Sequence, residues 1–281
     1  MLPPGTDELI QRALAEDVGD GDHTSLSTIP AEARGAAHLL VKSNGVLAGM
    51  DLAVAVCRHV DPALNLRPLM QDGARIAPGD VAFTLSGHSR SILLAERLLL
   101  NFMQRMSGIA TLTRAFMDAL EGTRCRVLDT RKTTPGLRHI EKWAVRIGGG
   151  TNHRMGLHDM MMIKDNHADF AGGIPQAIQR ALAYQQQHGL KLPIEVEARN
   201  LKEVDQVLAT GGVQRIMLDN FGTTDLRTAV QRINHRTETE ASGGITLHTA
   251  RAFADCGVDF ISVGALTHSA VSLDLSLKAM G

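Results

Sequence analysis

Two rhythms of apolar and polar positions divide the chain. Up to residue 112 the pattern mixes helices, short strands and turns. Leu9, Ile10, Ala13 and Leu14 fall at helical spacing, with Asp7 placed to cap that helix and Gly19-Asp20-Gly21-Asp22 to stop it. AAHLLVKSNGVLAG predicts a strand, an Asn44-Gly45 turn and a second strand of a hairpin. LRPLMQDGARIAPGDVAFTLSGHSRSILL reads as strands punctuated by Asp72-Gly73 and Pro78-Gly79. A strongly apolar helix is expected from Ser91 to Met106, then a break at Ser107-Gly108 and a further helical stretch to Leu120. Beyond it the rhythm changes. The short apolar runs CRVLDT, MMMIKD, IEVEA, RIMLD, TEASGG and FISVG alternate with helical patterns such as IPQAIQRALAYQQQHG, NLKEVDQVLATGG and TTDLRTAVQRIN. Strand, helix, strand at this spacing predicts βαβ units and a parallel sheet, either an α/β barrel or a doubly wound sheet, of which a barrel of eight or fewer strands is expected. The Met160–Met162 run reads as core.

Composition narrows the function classes. The chain has 281 residues and a formal net charge of -1, so it presents no overall basic field for nucleic acid or a membrane surface. Aromatic residues make up only 3%, which argues against a base-stacking platform. Cys57, Cys125 and Cys256 are widely spaced and have no metal-type spacing, which leads us to expect a reduced, cytoplasmic protein. No apolar run reaches the ~20 residues of a membrane span, and the first residues lack the layout of a signal peptide. No GxGxxG follows a strand and no GxxxxGK[ST] occurs, so neither a dinucleotide fold nor a P-loop is supported.

In a barrel, reactive groups stand where the βα loops meet, at the C-terminal ends of the strands. Those ends carry Arg131-Lys132, Lys164-Asp165, Glu197, Asp219, Ser242-Gly243-Gly244 and Val263-Gly264-Ala265. The stretch 126–154 holds seven Lys/Arg against two acids, a concentration suited to an anionic small molecule. Arginine forks match carboxylate and phosphate oxygens. Lys142 and Arg146 read as a solvated helix face, whereas Arg131, Lys132 and Arg154 sit beside turn residues and read as functional. Glu195 and Glu197 share one strand face, and a carboxylate pointing into a barrel needs a partner or a cation. Glu195 suits an ion pair; Glu197 with Asp219 suits sugar hydroxyls or a divalent metal. Glycines after the last two strands let backbone N–H groups approach a phosphate, helped by a helix starting near Thr246. His153 and His158 show no partner carboxylate pattern that would make a zinc site.

At these same residues the chain resembles the quinolinate phosphoribosyltransferase family. DTRKTTPGLR (129–138), GGGTNHRMGLHDMMMIKDNH (148–167), IEVEARN (194–200), MLDN (217–220) and EASGGI (240–245) look like its motif series. ALAEDVGDGDHTS (13–25) and AERLLLNFMQRMSGIAT (95–111) look like its earlier motifs, and the likeness extends to SVGALTHS (262–269).

The resemblance implies an N-terminal α/β open-sandwich domain, residues 1–112 joined by the tail 270–281, followed by an incomplete α/β barrel, residues 113–269. It implies transfer of a phosphoribosyl group from phosphoribosyl pyrophosphate (PRPP) to quinolinate with decarboxylation, with Mg²⁺ required. It further implies a homodimer whose sites are completed by the neighbouring subunit. Matched motif by motif, Arg131, His153 and Arg154 would hold the quinolinate carboxylates, with Thr130 and Lys132 beside them and Arg97 reaching in from the adjacent subunit. Arg97 fits that place better than Arg105, and the apolar surface of its helix exceeds what one small domain needs. Lys132 and Lys164 would contact PRPP phosphates. Glu197 and Asp219 would hold the ribose hydroxyls and the metal, and Ser242, Gly243, Gly244, Val263, Gly264 and Ala265 would cradle the 5-phosphate. Three other readings compete: a relative of the same fold from molybdenum operons, a nicotinate phosphoribosyltransferase, and a non-catalytic phosphosugar or pyridine sensor. The intact basic segments disfavour the first two, and Lys164, Glu197 and Asp219 disfavour the third.

Overall fold

The computed structural model describes residues 2–280. Its contacts group into two compact units, one of residues 2–114, 133–149 and 266–280, the other of residues 115–132 and 150–265.

The first unit opens with α1 (Thr6–Val18) and α2 (His23–Thr28), followed by β1 (Arg34–Val41), β2 (Gly45–Val46), α3 (Met50–Val60), β3 (Asn65–Pro68), β4 (Arg75–Ile76) and β5 (Val81–His88). Helix α1 starts two residues earlier than expected. Gly5 is its N-cap with no side-chain capping bond, and Asp7 sits in the first turn, where it accepts from His59 at 2.9 Å. The main sheet runs in the order β12-β1-β5-β3, where β12 (Leu275–Met280) is the chain's last strand. All its pairs are antiparallel. Along β1 the inward residues Ala37, Leu39 and Val41 are buried while their neighbours stay half-exposed, the mark of a sheet covered on one face. This is the open sandwich that the family resemblance implied.

Two glycines in this unit mislead a sequence reading for one reason. β2 does not pair with β1; it leaves for a two-stranded sheet with β4. No hairpin forms at Asn44-Gly45, because Gly45 is there for space: a Cβ would lie 2.6 Å from Thr111 Oγ1 and 2.7 Å from Leu273 Cδ1. Likewise α4 (Ser89–Ala119) is one helix of 31 residues with no break at Ser107-Gly108. A Cβ on Gly108 would stand 2.0 Å from the Val271 carbonyl oxygen, and Ser107 Oγ accepts from the Ala48 N–H at 2.9 Å. An exposed Gly→Ala change inside a helix stabilises by about 0.5–1 kcal/mol. Here the backbone contact reverses the sign, so Gly108→Ala is expected to lower the apparent melting temperature; a rise in a thermal melt would contradict this account.

Segment 133–149, expected in the barrel, groups with the first unit instead. It carries α5 (Arg138–Ile147), and the reason is visible in its side chains. Glu141 is fully buried and accepts from Arg105 Nη2 at 2.8 Å and from Thr134 Oγ1 at 2.8 Å. Lys142, expected on a solvated face, is fully buried, while Arg146 is exposed as expected. The buried face of α5 thus includes its central Glu-Lys pair.

The second unit is built on six parallel strands. β6 (Arg126–Leu128), β7 (Met161–Ile163), β8 (Ile194–Ala198), β9 (Arg215–Asp219), β10 (Glu238–Ser242) and β11 (Phe260–Ser262) lie in the order β6-β11-β10-β9-β8-β7. Between them run α6 (Asp165–Ala171), α7 (Ile174–His188), α8 (Leu201–Thr210), α9 (Thr223–Ile233) and α10 (Ala250–Ala254), with α11 (Ala265–His268) after β11. Every predicted strand of the second rhythm is present. Two details differ. The helix after β10 begins at Ala250, preceded by a turn, rather than near Thr246. Met160, Met161 and Met162 are half-exposed and line an open cleft with Leu157, Ala181 and Tyr184, so they are not core. Among the described residues no helix is long and apolar enough to cross a membrane.

Candidate active site

The second unit brings nearly all the expected residues to one rim, since each strand delivers its C-terminal end there. Thr130 follows β6, and its Oγ1 accepts from the Lys132 N–H at 3.0 Å, which tightens the turn presenting Arg131 and Lys132. Both of these side chains are exposed. Lys164 follows β7 as the N-cap of α6. Its Nζ lies 3.2 Å from Glu197 Oε2, near the end of β8, with Lys164 half-exposed and Glu197 buried. Asp219 ends β9 and accepts from Asn220 Nδ2 at 2.7 Å. Ser242 ends β10 directly opposite Asp219.

The glycine turn after β10 is locked to the neighbouring strand. Asn220 occupies the left-handed region, φ 56°, and its N–H donates to the Ser242 carbonyl at 2.8 Å. Gly243 has φ 101°, and a Cβ there would stand 2.1 Å from Asn220 Oδ1. Glycine is therefore required at 243 on two counts, backbone conformation and space. After β11, the Val263 N–H donates to the Leu128 carbonyl at 2.9 Å and is already used in the sheet. The Val263 N–H is therefore not available to an anion, and the Gly243-Gly244 turn stands at the same end of the strands.

The basic end of the rim rests on a second layer. Asp129 is fully buried; it accepts from the His153 N–H at 2.9 Å and from Asn152 Nδ2. With the Leu128–Thr151 bridge, this fixes the segment that carries His153 and Arg154 against β6. Arg154 donates from Nη1 to the Met160 carbonyl at 3.1 Å. Burial, and next the nearby charge of Arg131, hold its guanidinium below the usual arginine range. Two arginines gathered at one place repel, and an anion between them relieves that repulsion.

His153 departs from the expected role. Its Nδ1 accepts from the Arg154 N–H at 2.6 Å, and its Nε2 lies 2.9 Å from Glu195 Oε2 and 3.5 Å from Glu240 Oε2. The ring is thus turned toward the interior, its Nδ1 engaged by the main chain and its Nε2 beside two buried carboxylates, because Asp129 holds its backbone. Sequence reasoning saw no carboxylate partner for His153, since Glu195 and Glu240 come from distant strands. Arg215, at the start of β9, completes the cluster: its Nη1 donates to Glu240 Oε2 at 3.2 Å, its Nη2 donates to Glu238 at 2.8 Å, and its guanidinium lies 4.3 Å from the Phe260 ring centre. Glu195 therefore takes the ion-pair role expected for it. Burial pushes the Glu195 and Glu240 carboxyls above the usual carboxylate range. Glu240, Arg215, Asp129 and Asn220 were not singled out from the sequence. Only their proximity in space reveals them.

In the first unit, Arg97 and Arg105 are clearly separated. Arg105 is bound to Glu141 and to the carbonyls of Thr267 and Ala270, a structural role. Arg97 is exposed and makes no hydrogen bond or ion pair among the described residues. The argument from surplus apolar surface fails, however. Ile92, Leu99, Leu100 and Phe102 are all buried within this chain, and only Leu93 stands out at 42% exposure.

Comparison with known proteins meets this geometry. The model of the quinolinate phosphoribosyl transferase C-terminal domain matches residues 109–278, and that of the N-terminal domain matches residues 22–107. A chloroplastic nicotinate-nucleotide pyrophosphorylase [carboxylating] of Arabidopsis thaliana is 50% identical over 285 residues, covering 96% of this chain and 81% of the relative. A probable enzyme of the same name from a Synechocystis species is 43% identical, covering 99% of this chain and 94% of the relative. The crystal structure of NadC from Streptococcus pyogenes superposes with a TM-score of 0.94 at 38% identity, covering 100% of this chain and 99% of that one. The chain belongs to the quinolinate phosphoribosyl transferase family.

Proposed function

We infer that this chain transfers the phosphoribosyl group of PRPP to quinolinate and releases CO₂, giving nicotinate mononucleotide and pyrophosphate for NAD biosynthesis. One observation carries the reading. A pair of neighbouring arginines, Arg131 and Arg154, shares a rim with the carboxylates Glu197 and Asp219 and the Gly243-Gly244 turn. That is a dianion pocket beside a sugar-phosphate cradle, the two halves a phosphoribosyl transfer to a dicarboxylic acid requires.

Arg131 and Arg154 hold the quinolinate carboxylates, with Thr130 and Lys132 shaping the turn beside them. Glu197 and Asp219 orient the ribose hydroxyls. Gly243, Gly244, Gly264 and Ala265 offer backbone N–H groups to the 5-phosphate, with Ser242 at the edge. As pyrophosphate leaves, positive charge grows on the anomeric carbon; Glu197 offsets it while Lys132 and Lys164 neutralise the leaving group. The pyridine nitrogen attacks that carbon. Its new positive charge stabilises the carbanion left when the adjacent carboxylate departs as CO₂, and a proton delivered to that carbon completes nicotinate mononucleotide.

Mg²⁺ is part of the proposal. Glu197 and Asp219 are two carboxylates at adjacent strand ends, too few for a site made of protein alone. They suit an ion that brings substrate phosphates and water as its other ligands. When bound there it would supply neutralisation of phosphate charge. The further proposal is a homodimer in which Arg97 serves the neighbouring site. Arg97's freedom supports it, as do the exposed Phe170, 90% accessible, and Leu157, 71% accessible. Three free, buried cysteines support a reducing compartment such as the cytoplasm, although several plant relatives carry chloroplastic or mitochondrial names.

The test is turnover. With PRPP and Mg²⁺, carboxyl-labelled quinolinate is expected to release labelled CO₂ in step with nicotinate mononucleotide, while nicotinate is used poorly. Equal turnover of nicotinate would overturn the assignment and favour the mono-acid relatives.

A further inference from the structure

The rim residues account for substrate contacts, yet the most heavily buried charges of the second unit lie one layer below them. Glu195 and Glu240 are both 0% exposed, on β8 and β10, and His153 reaches them from the β6 side. Such a cluster is costly to bury, and a core of apolar side chains would hold a barrel as well. Its placement gives it a use.

The His153 ring stands between the carboxylates and the Arg154 backbone. Since Nδ1 accepts the Arg154 N–H at 2.6 Å, the ring proton sits on Nε2, facing Glu195 at 2.9 Å. That tautomer rules out a metal on Nε2, although His153, Glu195 and Glu240 lie close enough together to resemble a ligand set. Glu240 is anchored from the other side by Arg215 at 3.2 Å. Contacts therefore run without a gap from Arg215 through Glu240, Glu195 and His153 to the main chain of Arg154. Glu195 Oε1 and Glu240 Oε1 have no hydrogen-bond donor among the described residues, and Ser262 and the charge of Arg215 also act on Glu240.

We propose that Glu195 and Glu240 are positioning residues for the acceptor substrate: they brace the His153 ring, and His153, through its bond from the Arg154 N–H, sets the guanidinium that grips a quinolinate carboxylate. The inference rests on the reading that Arg154 binds that carboxylate. The brace acts on the acid-binding end of the rim. Glu197 and Lys164, at the phosphoribosyl end, pair with each other at 3.2 Å, and Lys164 acts on the cluster through its charge on Glu195.

The experiment measures KM for quinolinate and for PRPP separately. Glu195→Gln keeps the shape of the side chain and removes its charge. It is expected to raise the quinolinate KM about tenfold, with the PRPP KM changed less than about twofold, as for groups that orient a binding residue. Glu240→Gln, one contact further from the ring, is expected to show the same split at about threefold, and serves if the first variant does not fold. A cycle with Arg154→Lys completes the test. If the brace acts through Arg154, Glu195→Gln adds little to the quinolinate KM of Arg154→Lys; additive effects would refute it. A folded Glu195→Gln or Glu240→Gln with unchanged quinolinate KM, or with both KM values rising together, overturns the brace. An Arg154→Lys that binds quinolinate normally overturns instead the reading of the pocket, so the two failures are distinguishable.

Discussion

Replacing Glu197 by alanine is expected to cut kcat about a hundredfold while leaving quinolinate KM within about threefold, and Asp219→Ala should behave alike. A hundredfold corresponds to a loss of about 3 kcal/mol of transition-state stabilisation. In the proposed arrangement the carboxylates face the phosphoribosyl half of the rim, where charge develops as pyrophosphate departs. Folding should be little affected. Glu197 is buried but its partner Lys164 is half-exposed, so the charge left behind is met by water. The check is steady-state kinetics beside a thermal melt. Folded variants turning over at near wild-type rates would remove both residues from the mechanism.

The second large effect concerns Arg97. Alone, Arg97→Ala and Lys164→Ala should each be nearly inactive. Mixed, they should regain activity, because one of the two sites in a heterodimer receives an intact Lys164 and the neighbour's intact Arg97. Loss of a charged contact to a buried carboxylate costs about 2–5 kcal/mol, at least about tenfold in affinity, so the recovered signal stands well clear of either parent. Differently tagged chains verify that heterodimers have formed. Verified heterodimers as inactive as both parents would show that Arg97 does not serve a neighbouring site.

What the sequence made legible was whatever repeats locally. Six short apolar strands, several with a charge or a glycine at or just past their ends, could be read one at a time, and all six are present. The hairpin at Asn44-Gly45 and the helix break at Ser107-Gly108 were misread because glycine has two uses. It permits unusual dihedrals, which has a local signature, and it admits a neighbouring chain, which has none. Gly45 and Gly108 serve the second use. Lys142 was misread for a related reason: its neighbours in sequence look solvated, while its environment is made by α5 packing within the first unit. The His153 brace was invisible because its members lie on separate strands and meet only when the sheet forms.

The lock between Gly243 and Asn220 has a consequence for which sugars the site can accept. The carboxylate proposed for the ribose and the turn proposed for its phosphate end adjacent strands, so their separation is a multiple of nothing but the sheet spacing, ~4.8 Å. Asn220 and Ser242 are tied across that gap by a backbone hydrogen bond of 2.8 Å, and Gly243 seats its Cα against the Asn220 side chain. The rim is therefore a fixed gauge whose length is written in main-chain atoms. Side-chain changes elsewhere can tune how tightly a phosphosugar is held, but a longer or shorter reach between hydroxyls and phosphate would not fit the gauge.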